Sequence, residues 1–92
     1  MPITVRIPSP LRSFTAGHDE VDAEGATVGA IVADLDERFP GIGARLCDED
    51  GIRRHVNIYA NDDDVRFLDG LETAVTDGDS LTIIPAMAGG RS

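Results

Sequence analysis

Between Thr27 and Pro40 the chain carries one helical stripe. Val28, Ile31, Val32, Leu35 and Phe39 recur at i, i+3, i+4, i+7 and i+11, which places all five on one face of an α-helix. Asp34, Asp36, Glu37 and Arg38 fall off or beside that stripe. Thr27 supplies a hydroxyl suited to an N-cap and Pro40-Gly41 is a stop signal, so the spacing predicts a helix over Val28 to Arg38. A lone amphipathic helix buries its stripe against another layer, and the rest of the sequence offers strands for that layer. At 92 residues there is material for one core and not for two.

Ile3, Val5 and Ile7 alternate with Thr4 and Arg6 as a strand with one buried face, stopped by Pro8-Ser9-Pro10. A weaker strand over 18–23, with Val21 as its only inward residue, is expected to pair with the first as a hairpin. After the helix comes a polar loop containing Asp48-Glu49-Asp50-Gly51, then a strand Val56-Asn57-Ile58-Tyr59-Ala60 and an acidic turn over 61–64. Residues 65–67 read as a short return strand, and 71–75 as either a helical turn or irregular structure. Thr76-Asp77-Gly78-Asp79 is a tight-turn signal, and residues 81–84 form a last strand ending at Pro85. This order predicts an α+β, β-grasp (ubiquitin-like) domain over residues 1–86, with a mixed sheet and one main helix. Residues 87–92 follow it as a flexible tail.

Seventeen acidic against eight basic residues give a formal charge of −9, which repels phosphate backbones and anionic lipid and argues against nucleic-acid or membrane partners. Every basic residue is arginine and lysine is absent, a pattern that fits a GC-rich genome or a salt-adapted surface. No apolar run is long enough to span a bilayer. The first residues lack the features of a signal peptide, and the single cysteine, Cys47, has no partner for an internal disulfide, so the expected location is cytoplasmic.

The chemistry is expected at the other end. In Pro85-Ala86-Met87-Ala88-Gly89-Gly90-Arg91-Ser92 the glycine pair leads to no further element that a turn could redirect. Two residues without Cβ let backbone pass a narrow channel, so Gly89 with Ala88 suits threading and Gly90 suits reaction at its carboxyl group. Ile84, Pro85 and Met87 precede the pair, either tucked against the core or presented as apolar anchors for a partner.

Taken together, Thr27-Val28-Gly29, Phe39-Pro40-Gly41, the segment from Leu71 to Leu81 with Asp77-Gly78-Asp79, and the tail from Ile83 to Gly90 resemble the MoaD/ThiS family of ubiquitin-like sulfur carriers. The stretch from His55 to Phe67 is most similar to the carriers of thiocarboxylate-dependent cysteine biosynthesis. The resemblance implies a protein co-substrate and not an enzyme, with no catalytic residue, metal or bound cofactor of its own. A ubiquitin-activating-type adenylyltransferase would use ATP to convert the Gly90 carboxylate to an acyl-adenylate, and a sulfur donor would displace AMP to leave a thiocarboxylate. The carboxylate needs that leaving group because, with a pKa near ~3.5, it is ionised and inert at neutral pH. The implied acceptor is a cysteine synthase-like pyridoxal-phosphate enzyme or the large subunit of molybdopterin synthase. In the cysteine route the sulfur attacks an enzyme-bound alkene, and acyl shift and proteolysis then release cysteine. Two other roles stay open: the small subunit of molybdopterin synthase, and a modifier forming isopeptide bonds through Gly90. The missing lysines would leave an activated Gly90 no internal amine target except the N-terminus.

Arg91-Ser92 departs from the family pattern, which ends at the second glycine. The dipeptide is either an extension removed by a JAMM-type zinc protease or a junction left by cloning. Other candidates read as structural. Cys47 has only Arg45 as a basic neighbour in sequence and is expected to be an inert, partly buried thiol. His18 and His55 are too isolated for a zinc site. Asp62-Asp63-Asp64 and Asp48-Glu49-Asp50 lack the glycine and glutamate of a calcium loop, and Gly41-Ile42-Gly43 lacks the preceding strand and third glycine of a dinucleotide turn.

Overall fold

The computed structural model describes residues 2–49, 51–54 and 56–85. In chain order the elements are β1 (Ile3–Arg6), β2 (Glu20–Ala23), α1 (Val28–Arg38), α2 (Ile42–Leu46), β3 (Cys47–Asp48), β4 (Gly51–Ile52), β5 (Val56–Ala60), β6 (Asp63–Asp64) and β7 (Ser80–Pro85). Short 3₁₀ turns lie at Ser9–Leu11, Val65–Phe67 and Gly70–Glu72. Five strands form one sheet in the order β2-β1-β7-β5-β6, and β3 and β4 form a separate hairpin. β1 and β7 are parallel while the other neighbours are antiparallel, so the sheet is mixed, as the element order implied.

Helix α1 has the predicted limits. Thr27 Oγ1 accepts from the Ala30 amide at 3.2 Å, satisfying one of the helix's unpaired N-terminal donors. Val28, Ile31, Val32 and Leu35 are buried together with Ile3, Val5, Ile58, Leu81 and Ile83 of the sheet. Phe39, the fifth residue of the stripe, lies just past the helix end and is only partly buried against this core.

Three expectations are corrected. Val21 is not the only inward residue of β2: it is half-buried, whereas Ala23, two residues on and therefore on the same face, is 1% exposed. The segment after Gly41 is not all loop, because Ile42 and Leu46 sit one helical turn apart and are both fully buried on α2. Gly41, at φ 100°, starts that helix from the left-handed region, and Asp36 Oδ1 accepts from the Gly41 and Gly43 amides at 3.1 and 2.9 Å. Residues 65–67 form a 3₁₀ turn and not a return strand, since Asp64 Oδ1 accepts from the Arg66 amide at 2.9 Å and closes the turn; the return strand is β6. Of the two readings left open for 71–75, the chain takes a 3₁₀ turn through Glu72 and then an isolated bridge from Ala74 to Thr27.

Candidate functional site

β7 lies in the middle of the sheet, parallel to β1 and antiparallel to β5. Its start is pinned. Asp79 Oδ2 accepts from the Thr76 amide at 2.9 Å, and Asp79 Oδ1 accepts from Asn61 Nδ2 at 3.3 Å. Asn61, held at φ 58°, accepts from the Ser80 amide through Oδ1 at 3.1 Å and donates its own amide to the Ser80 carbonyl at 2.7 Å. The Thr76 amide first, then the Asn61 side chain, hold the Asp79 carboxyl below the ordinary aspartate pKa.

Along β7, Leu81 and Ile83 point into the core, and Ile84 points outward and is 43% exposed. The alternation of a strand imposes this. Of the three residues named as candidate anchors, Ile84 is presented to solvent. Pro85 pairs with Val56 at the end of the ladder, and having no N–H it donates no further bond to a neighbouring strand. Met87, Ala88, Gly89, Gly90, Arg91 and Ser92 lie outside the described residues.

Opposite Ile84 stands Asn57. Its Oδ1 accepts from Arg66 Nη1 at 2.8 Å, and Arg66 Nη2 donates to the Arg53 carbonyl. That carbonyl also accepts from the Val56 amide at 3.1 Å, while Arg53 Nε donates to the Ala44 carbonyl at 2.7 Å. Arg45, Arg53, Ala44 and Val56 line one hollow. Three arginines from separate parts of the sequence thus converge beside the point where β7 ends. Sequence reasoning missed this cluster, because no spacing links residues 45, 53 and 66.

Cys47 is half-buried. Burial pushes its thiol pKa up, the Asp48 carboxylate pushes the same way, and a cation opposes them. That cation is Arg53 and not Arg45, whose guanidinium lies 5.8 Å from the centre of the Phe14 ring. His18 is exposed, and its carbonyl accepts from Thr15 Oγ1 at 2.7 Å. His55 and Asp50 lie outside the described residues. Among those described, no three His, Cys, Asp or Glu side chains are grouped to hold a metal, and no helix is long and apolar enough to cross a membrane. Gly41-Ile42-Gly43 opens α2. Phe67, unremarked in the sequence, is 87% exposed beside Arg66.

Comparison with known proteins gives a consistent set. The model of the ThiS family matches residues 5–90. Sulfur carrier protein CysO of Mycobacterium tuberculosis is 52% identical over 93 residues, covering 98% of this chain and 100% of that protein. Small archaeal modifier protein 3 of Haloferax volcanii is 37% identical over 67 residues, 73% of each chain. Among solved structures, a chain of the Amycolatopsis orientalis BexX/CysO complex superposes with a TM-score of 0.91 at 53% identity, covering 96% of this chain and 99% of that one.

Proposed function

The chain belongs to the ThiS family, and from that premise we propose that it is a sulfur carrier whose Gly90 carboxyl is activated and converted to a thiocarboxylate, with cysteine biosynthesis as the pathway served. The observation that carries this reading is the near full-length identity to CysO, together with a family match that closes on Gly90. The fold supports it. A central strand with a pinned start carries an outward apolar residue, Ile84, in its last ladder pairs, so the domain offers a partner a fixed base near the tail.

Activation forms a bond between a Gly90 carboxylate oxygen and the α-phosphorus of ATP, releasing pyrophosphate. A sulfur nucleophile then attacks the carbonyl carbon and AMP leaves with the former carboxylate oxygen, so sulfur replaces one oxygen. The adenylyltransferase supplies the catalytic groups, and the carrier supplies the carboxyl group, the threading residues Ala88 and Gly89, and the anchors Ile84, Pro85 and Met87. The acceptor is a synthase, and a BexX-like protein is the partner class that the Amycolatopsis complex brings forward. A JAMM-type zinc protease would serve both to remove Arg91-Ser92 and to release the product. A cytoplasmic location follows from the need for ATP.

The test compares chains ending at Gly90 and at Ser92, each incubated with ATP, sulfide and a ubiquitin-activating-type enzyme and then weighed. The Gly90 chain gains about 16 Da as oxygen is exchanged for sulfur, and Gly89→Val abolishes the gain because a β-branched side chain blocks threading. The Ser92 chain gains nothing, because two extra residues carry its carboxyl past the reacting position. Equal gain on both termini overturns the assignment of Gly90. Ladders of conjugates would instead favour the modifier reading that the Haloferax relative's name suggests, and stable co-purification with one large subunit would favour a molybdopterin-synthase role.

A further inference from the structure

In a chain of net charge −9, Arg45, Arg53 and Arg66 gather at the end of β7. Arg45 and Arg53 line the hollow that Val56 closes, and Val56 is the cross-strand partner of Pro85. Arg66 is bonded to Asn57, the partner of Ile84, and to the carbonyl of Arg53. Arg54 stands next in sequence and is exposed, as the other three are. Among the described residues the ion pairs are Arg6 with Glu20 and Arg38 with Asp34, and neither involves an arginine beside the end of β7, although Arg66 shares a second hollow with Asp69 and Glu72. Among the described residues, none that lines the first hollow is acidic.

Residues 86–90 can reach at most about 17 Å when fully extended. A partner that draws Gly90 into a channel therefore brings the mouth of that channel against the surface from which the tail leaves. We propose that Arg45, Arg53, Arg54 and Arg66 form a basic collar that docks on carboxylates at the mouth of the tail-accepting channel of a protein partner. The inference rests on the sulfur-carrier reading above. The guanidinium group suits this task because its planar fork meets a carboxylate in two parallel hydrogen bonds. The collar is held in advance: Arg66 through Asn57 and the Arg53 carbonyl, Arg53 through the Ala44 carbonyl, and Arg45 over Phe14. Less side-chain freedom is then lost on docking. The rest of the acidic surface is repelled by the same carboxylates, so an approach in any other orientation is disfavoured.

The experiment measures association of the chain ending at Gly90 with Amycolatopsis orientalis BexX by stopped flow at several salt concentrations. The variant Arg53→Glu/Arg54→Glu is compared with Arg6→Glu/Arg38→Glu, which has the same net charge with the collar intact. Collar reversal is expected to slow association about tenfold or more at low salt, and the difference to fade as the screening length falls from about 10 Å to about 3 Å. The remote pair is expected to change the rate less than threefold. Where a reversal lowers the melting temperature, the neutral pairs Arg53→Gln/Arg54→Gln and Arg6→Gln/Arg38→Gln repeat the comparison with a smaller expected effect of the same order. Equal effects of the two pairs, or faster association on collar reversal, overturn the collar. Failure of the wild-type chain to bind BexX, together with failure to gain sulfur, defeats the carrier reading and the collar with it; normal sulfur loading with equal effects of the two pairs defeats the collar alone.

Discussion

Replacing Asp36 by alanine should destabilise the domain although its side chain is exposed and off the apolar stripe of α1. Asp36 Oδ1 accepts from the amides of Gly41 and Gly43 at 3.1 and 2.9 Å, two N-terminal donors of α2 with no helical partner. Removing a helix cap costs typically about 1 kcal/mol, within a range of about 0.5–2. Two bonds to an ionised acceptor push toward the upper half, while solvent access and the better helix propensity of alanine, up to about 0.7 kcal/mol, push down. The expected loss is therefore about 1 to 1.5 kcal/mol, or a fall in melting temperature of roughly 4–12 °C for a domain of this size. Asp36→Asn keeps the accepting oxygen and should lose less than half as much. Glu37→Ala, on the same exposed helix face and without such a bond, should stay within about 0.5 kcal/mol of wild type. Thermal and urea unfolding of the three variants decide the matter. A melting temperature for Asp36→Ala no lower than that of Glu37→Ala would refute the cap.

Two further predictions concern titratable groups. Cys47, half-buried with its thiol pKa raised by burial and by Asp48, should alkylate with iodoacetamide more slowly than a free thiol at pH 7.5, and Cys47→Ser should retain full sulfur loading by mass; loss of loading would make it a participant. Asp79 should titrate below an ordinary aspartate when followed by carboxyl NMR, because its folded pKa is depressed by the Thr76 and Asn61 donors. Its contribution to stability is then present above the unfolded-state pKa and is lost as pH falls through the folded one, so Asp79→Asn should flatten the acid limb of the pH–stability curve, and an unchanged limb would contradict the assignment.

What could be read from the sequence follows from how local each cause is. Helix α1 was legible because both its stripe and its cap, Thr27, are written within one short segment. Helix α2 was not, because it is five residues long, offers only Ile42 and Leu46 as buried positions and has glycines on both sides of Ile42, and what holds it is burial plus a cap from Asp36 on another helix. Val65-Arg66-Phe67 has the composition of a strand. Tertiary structure decides otherwise, through the Asp64 cap and the reach of Arg66 to Asn57, leaving Phe67 exposed. The tail proposed to react, which lies outside the described residues, was read on different grounds: its signal, Gly89-Gly90, is chemical and lies in consecutive residues. The arginines around its base were not legible, because only the fold brings 45, 53 and 66 to one place.

That division separates two kinds of defect in a sulfur carrier, one of folding and one of encounter. The Asp36 cap acts on whether α2 forms, and α2 carries Arg45 and the Ala44 carbonyl that holds Arg53. Its loss should thus reduce the folded population and loosen the collar, without altering the reactivity of a thiocarboxylate already formed. Reversing Arg53 and Arg54, both exposed, should do the opposite, leaving the folded population nearly intact while slowing the encounter. If association with the partner, measured per folded molecule, slowed equally in the two cases, the placement of these residues by α2 would account for the effect, and charge at the base of the tail would have no separate part in recognition.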